Sequence, residues 1–167
     1  MNKRNMHNKT LIALSMLLPA LIVANAARAD TVELISVVEK EVVTTTADGE
    51  IVREIVPAET VIPGEEVIYT TRFKNVGTQA ANSIVSTNPV PENMRYKADS
   101  AAGADTEITF SVDEGESYAA PEALQVTGRN GKPRAARASD YTHIRWAYRP
   151  SLPAGEESSV QFRAVLQ

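Results

Sequence analysis

The feature that most constrains the fold is a turn-and-strand pattern that occurs twice. Residues 62–66 read Ile-Pro-Gly-Glu-Glu and lead into the segment 67–73, and residues 152–157 read Leu-Pro-Ala-Gly-Glu-Glu and lead into the segment 160–164. In both turns Pro restricts φ and Gly permits a positive φ, and the residues that follow alternate with period two. The pattern predicts two β-strands, each entered through a tight turn.

Further strands are predicted at 108–112 and 144–148, where apolar and polar residues alternate in the same way. Enrichment in Val, Ile and Thr between turn residues predicts strands at 31–46 and 51–56, and shorter runs predict strands at 84–85 and 124–127. No segment after residue 30 has the apolar spacing of three and four residues that an amphipathic helix requires. The sequence therefore predicts an all-β protein, an antiparallel β-sandwich of about eight or nine strands.

Three of the predicted strands carry large side chains on one face. We expect these faces to form the core: Val67, Tyr69, Thr71 and Phe73; Ile144, Trp146 and Tyr148; Val160, Phe162, Ala164 and Leu166. The short strand at 84–85 should end at Asn88, because Pro89 and Pro91 exclude a central strand there.

The first 29 residues have the organisation of a secretory signal peptide. A basic start at residues 3–9 precedes an apolar run over 11–23, and Ala27-Arg28-Ala29 offers the small residues of a cleavage site. The apolar run is shorter than the roughly 20 residues that span a bilayer. We expect cleavage after Ala29, or alternatively after Ala26, and an exported protein of the periplasm or the cell exterior.

Export changes the charge of the chain. The sequence has 17 basic and 21 acidic residues, and removal of residues 1–29 leaves 13 basic ones and a net charge of −8. Such a surface repels nucleic acid and anionic membranes. The chain contains no cysteine, so neither a disulfide nor a thiolate metal site can form. We expect protein partners in the envelope, and no nucleic acid, cofactor or stable transmembrane anchor.

Residues 30–59 form a separate extension, predicted to be a β-hairpin closed at Asp48-Gly49. The strand over 31–46 is long and rich in Val, Ile and Thr, which suits addition to the sheet edge of a neighbouring subunit. If this strand instead folds back on its own domain, the sequence predicts a monomer. The sequence is compatible with both alternatives.

Two blocks of residues carry a family resemblance. The first is Pro63, Gly64, Glu65, Val67, Tyr69, Thr71, Phe73, Asn75 and Gly77, and the second is Ala81, Asn82, Ile84, Asn88, Val90, Pro91 and Tyr96. With these blocks, residues 60–167 resemble the bacterial conserved-repeat domain known as domain of unknown function eleven. The resemblance implies an immunoglobulin-like β-sandwich of the cell envelope and no reaction, because the members of that family share no catalytic residues.

One basic cluster differs in charge from the acidic chain around it. Arg129, Lys132, Arg134 and Arg137 lie in one predicted loop, where they can bind a phosphate, an anionic glycan or an acidic partner. Loop charges also serve solubility alone. These four residues are the candidate contact site for an anion or a partner.

Three other groups have a functional and a simpler interpretation. His143 with Ser139 and Asp140 has the residue types of a hydrolase triad, but no nucleophile elbow accompanies them. The acidic turn 113–116 offers oxygens for calcium but matches no known loop. Trp146 has the ring to stack on a sugar, but its alternation predicts burial. The sequence thus indicates a non-enzymatic module that acts by surface contact, with carbohydrate or anion binding as an alternative.

Overall fold

The protein is all-β, as the sequence predicts, in a computed structural model that describes residues 32–167. The eleven strands are β1 Val32–Thr45, β2 Ile51–Pro57, β3 Glu66–Asn75, β4 Val85–Pro89, β5 Met94–Tyr96, β6 Ala102–Gly103, β7 Thr106–Ser111, β8 Gln125–Thr127, β9 Pro133–Ala135, β10 His143–Tyr148 and β11 Glu157–Leu166. Two short 3-10 helices lie at Pro121–Ala123 and Ala138–Asp140. The predicted signal peptide, residues 1–29, lies outside the described residues.

All eight predicted strands are present, and three more are added. The additional strands, β5, β6 and β9, have two or three residues each, too few for a recognisable alternation. Within residues 32–167 no helix is long and apolar enough to cross a membrane.

The strands form two facing antiparallel sheets and one separate hairpin. The larger sheet has the order β2-β1-β3-β11-β5, with β6 also paired to β11. The smaller sheet has the order β4-β10-β7, and β8 pairs with β9. β4 extends through Pro89, one residue further than predicted. It is an edge strand, which is where a proline is tolerated.

The two similar turns lie at opposite ends of one strand pair. They lead into β3 and β11, which pair antiparallel in the centre of the larger sheet. The amide of Gly64 donates to the carbonyl of Leu166 at 2.8 Å, and the amide of Gly155 donates to the carbonyl of Asn75 at 2.8 Å. Each glycine has a positive φ, 91° and 83°, so a side chain there would be strained. Each turn is therefore hydrogen-bonded to the end of the other strand.

The predicted core faces are confirmed. The side chains of Phe73, Trp146, Val160 and Phe162 are each 1% exposed, and Ile144 and Ala164 are fully buried. Phe162 stacks on Tyr69 of the neighbouring strand at 4.8 Å between ring centroids, and it contacts Trp146 of the smaller sheet at 6.2 Å. The alternation does not account for Ile68, which lies on the outer face of β3 and is nevertheless buried.

The predicted hairpin at 48–49 forms, with a different turn from the expected one. An Asp-Gly pair is typical of a two-residue turn with a positive φ at both positions, but here only Gly49 has one, 83°. Gly49 donates to the carbonyl of Thr46 at 3.0 Å, and Thr46 donates to the carbonyl of Glu50 at 2.8 Å. This is a three-residue loop in which glycine occupies the bulge position.

Candidate interaction surface

β1 belongs to two different strand pairs. Its first half pairs with β3 from Val32 to Glu39, and its second half pairs with β2 from Glu39 to Thr45. β2 and β3 lie on opposite sides of β1 and at different heights along it. The second half of β1 and β2 together, residues 40–57, therefore extend beyond the start of β3 by about 20 Å. We call residues 40–57 the arm.

Exposed apolar side chains are concentrated on β1 and β2. Ten large apolar residues are clearly exposed among residues 32–167, and seven of them lie on these two strands: Leu34, Ile35, Val38, Val43, Ile51, Val52 and Ile55. Their exposed fractions run from 42% for Val52 to 67% for Ile51. Scattered exposed apolar residues are normal, but a contiguous group of them indicates an interaction surface.

The outer edge of β2 has no strand paired to it among the described residues. Val38 accepts from Ala58, and Thr46 donates to Glu50, so the bonds between β1 and β2 fall at even-numbered residues. The amides of Ile51, Arg53 and Ile55 therefore point away from β1. Pro57, the next odd-numbered residue, has no amide hydrogen.

A second open edge lies beside the first half of β1. β2 covers β1 only from Val38 onward, and no other described strand pairs with that side of residues 32–37. We call this open stretch, residues 32–37, the notch. Even-numbered residues of β1 direct their backbone groups to the side on which β2 lies, so the backbone groups of Leu34 and Ser36 point into the notch. Unpaired edges of this kind are templates for a further strand.

One ion pair joins the base of the arm to the sandwich, and further ion pairs lie on either side of it. Lys40 binds Glu65 at 3.1 Å, Arg53 binds Glu41, and Glu66 accepts from both Lys97 at 2.6 Å and Arg163 at 2.8 Å. These residues and Ile68 line a cleft of about 350 Å³. All of its charged side chains are engaged with one another, and the Lys40–Glu65 pair holds the base of the arm in place.

The same contacts stabilise the charged form of two carboxyls. A hydrogen bond from the amide of Ile62, and then one from Lys40, hold the pKa of Glu65 below its ordinary value. Burial alone would raise the pKa of Glu66, but the hydrogen bonds from Arg163 and Lys97 outweigh it and lower that pKa. Both glutamates are therefore ionised at neutral pH.

The four residues of the predicted basic cluster have three different positions. Arg129 and Lys132 are exposed near the tip of the β8-β9 hairpin. Arg134 forms a two-pronged ion pair with Asp140 at 2.7 and 2.8 Å. Arg137 is exposed and lines a shallow cleft of about 350 Å³ together with two cations absent from the predicted cluster, Arg95 and Lys97. Anion binding by these residues stays a prediction.

The carboxyl of Asp140 joins the β9 region to the following 3-10 helix. Besides the guanidinium of Arg134, it accepts the backbone amide of Arg137 at 2.7 Å. The hydrogen bond from Arg134, followed by that amide, lowers the pKa of Asp140 from 3.8 to about 2. Because the folded state favours the ionised form, this carboxyl stabilises the fold above its ordinary pKa and loses that effect as the pH falls towards 2.

We therefore expect a pH-dependent effect of Asp140→Asn. At neutral pH the variant should be less stable than the wild type by about 1–2 kcal/mol, and the difference should shrink between about pH 4 and pH 2. Urea titrations across this pH range measure it. When Arg134 has already been replaced by Leu, the further change Asp140→Asn should lower the stability at neutral pH by much less. A difference independent of pH would contradict the assignment.

The remaining candidate groups have other contacts in the structure. His143 contacts the hydroxyl of Thr142 at 3.3 Å, whereas the carboxyl of Asp140 is occupied by Arg134. Trp146 is buried, as predicted, and is not available to stack on a sugar. No group of three or more histidine and acidic side chains suited to a metal ion occurs in the described part of the chain.

The acidic turn 113–116 has a local structural role. Asp113 accepts hydrogen bonds from Ser111 at 2.6 Å and from the amide of Ser117 at 3.0 Å. Bonds from the hydroxyls of Ser111 and Ser117, in that order, and then from the Ser117 amide, lower its pKa from 3.8 to about 2. The carboxyl thus closes its own turn.

Sequence reasoning found the hairpin but not the surface that it forms. The apolar residues of the arm come in adjacent pairs, Val42-Val43, Ile51-Val52 and Ile55-Val56. Such pairs predict a strand but do not indicate which of its side chains are covered. Comparisons with protein-family models, with curated proteins and with solved structures return no match for this chain.

Proposed function

We propose that this protein is a non-enzymatic, exported, immunoglobulin-like module of the bacterial cell envelope that acts by contact with other proteins through its arm. The observation that carries the proposal is the concentration of exposed apolar residues on β1 and β2, beside two unpaired strand edges. Among the other described strands, only β4 carries a clearly exposed large apolar side chain, that of Val85.

The position of the arm supports the same proposal. It projects from the sandwich, and the Lys40–Glu65 ion pair and the pairing of the first half of β1 with β3 hold its base in a defined orientation. A pre-ordered contact surface loses less conformational entropy on binding than a flexible segment does. The resemblance of residues 60–167 to an envelope module and the signal-peptide pattern point to the same compartment.

Site-specific photo-crosslinking in intact cells tests the proposal. Val43 on the arm and Val85 on the edge strand β4 are both 52% exposed, so they form a matched pair. A photoreactive amino acid should yield protein adducts when it replaces Val43 and few or none when it replaces Val85. Equal yields at the two positions would contradict a role for the arm.

A further inference from the structure

We infer that the partner of the arm is a second copy of this chain, with β2 of each copy seated in the notch of the other. The inference rests on the proposed function, because it names the occupant of the same surface. It depends on the shape of the sheet edge, on the distribution of apolar side chains along that edge, and on charge.

The outer edge of the larger sheet has the outline of a step. β1 has 14 residues, and β2, with seven, covers only the second half of it. β2 therefore stands out from the edge by one strand, and the notch recedes from it by one strand. A two-fold axis perpendicular to the sheet at the step places each β2 in the opposite notch. The notch spans residues 32–37 and is close in length to β2.

This arrangement joins the two larger sheets into one. β2 runs antiparallel to its own β1, and the two-fold rotation reverses its direction, so it runs parallel to the β1 of the other copy. Both open edges then acquire backbone partners at the same time. The interface is isologous and closed, so it produces a dimer and not a fibre.

The apolar side chains at the joint match by face. Rotation about an axis perpendicular to the sheet keeps each face on its own side, and odd-numbered residues of β1 share a face with odd-numbered residues of β2. Ile35 in the notch therefore lies on the face of Ile51 and Ile55 of the other copy. Leu34 lies on the face of Val52. All five are among the exposed apolar residues.

Charge favours this joint over the simplest alternative. Arg53 on β2 binds Glu41 of its own chain but keeps 65% of its side chain exposed. It lies on the same face as Glu33 in the notch, which has the opposite charge. The fullest antiparallel pairing of two β2 strands would instead place Glu54 directly opposite its own copy, which is repulsive. The missing amide hydrogen of Pro57 weakens that alternative further.

Sedimentation velocity measures the association. The chain, purified after export and with its N-terminus established by mass spectrometry, should shift from monomer to dimer over about a hundredfold range of concentration. Val52→Lys should weaken the dimer at least about tenfold, because it adds a charge to the joint. Val85→Lys, an equivalent change on the edge of the smaller sheet, should leave the dimer unchanged. Circular dichroism checks that both variants are folded.

Cysteine crosslinking tests the geometry, since the chain has no cysteine of its own. Within one chain Ile55 lies opposite Glu41, six positions along β1 from Ile35, or about 20 Å. An equimolar mixture of the single variants Ile35→Cys and Ile55→Cys should give dimers with a short bismaleimide, at a yield several times that of either variant alone. A crosslink that requires both variants is specific to the proposed joint, because there Ile35 of one copy lies beside Ile55 of the other.

The outcomes separate this inference from the proposed function. A monomer at every concentration, a dimer indifferent to Val52→Lys, or equal crosslinking by the single variants would overturn the inference. A monomer that still forms adducts with other proteins at Val43 in cells would leave the proposed function standing with a different partner. Loss of the adducts at Val43 as well would remove both.

Discussion

Replacement of Phe162 by alanine is expected to lower the free energy of unfolding by about 3–5 kcal/mol. The ring is 1% exposed and lies between the two sheets, stacked on Tyr69 at 4.8 Å and close to Trp146 at 6.2 Å. Truncation removes apolar surface from the core and leaves a cavity that neighbouring rings cannot fill without leaving their own positions.

Urea titration measures this effect directly. The single tryptophan, Trp146, is retained in the variant and reports on the core by its fluorescence. Phe162→Leu keeps most of the volume and should lose less than the alanine variant, which provides a measurable value if Phe162→Ala does not fold. Val85→Ala, at an exposed position, should change stability by no more than about 0.5 kcal/mol. A loss of less than about 1 kcal/mol for Phe162→Ala would contradict the packing described here.

The second large effect is expected at Asn75, whose side chain is 1% exposed at the end of β3. Its amide nitrogen donates to the carbonyl of Leu152 at 2.8 Å and to that of Gln79 at 2.6 Å, and its oxygen accepts the amide of Gly77 at 3.0 Å. Asn75→Ala leaves these buried groups without partners and should cost about 2–4 kcal/mol. The same side chain therefore closes its own turn and fastens a distant loop.

Two further variants test whether the hydrogen bonds of Asn75 are the source of this effect. Asn75→Asp keeps an acceptor for Gly77 but turns a negative charge towards two carbonyl oxygens, so it should be destabilising too. Asn82→Ala, at an exposed asparagine in the following loop, should have little effect. Equal urea midpoints for Asn75→Ala and Asn82→Ala would show that the contacts of Asn75 contribute nothing.

Most strands were predictable because their information is local. Residues such as Phe73 and Phe162 alternate with polar neighbours, and the period of two follows from strand geometry itself. The three missed strands, β5, β6 and β9, have no such period. They exist because a neighbouring strand offers hydrogen bonds, as β11 does for β5 and β6. A short segment of the sequence does not indicate which distant strand it will pair with.

The candidate surface was predictable in part. Asp48-Gly49 marked the hairpin, and the length of the first strand suggested pairing outside its own turn. The division of β1 between β3 and β2 was not predictable, because alternation does not say which strand lies on either side. The structure separates the members of the basic cluster, since Arg134 binds Asp140 whereas Arg129 lies near the tip of the β8-β9 hairpin.

By itself the sequence determined the local conformations of this protein: the two glycine turns at Gly64 and Gly155 and the alternating faces of the strands. Only the tertiary structure decided which of those faces are covered. Val67 and Val43 are the same residue type and both lie in predicted strands, yet Val67 is 1% exposed and Val43 is 52% exposed. The physical reason is that burial depends on whether a second layer lies over a strand, and the arm extends past the point where the sandwich ends.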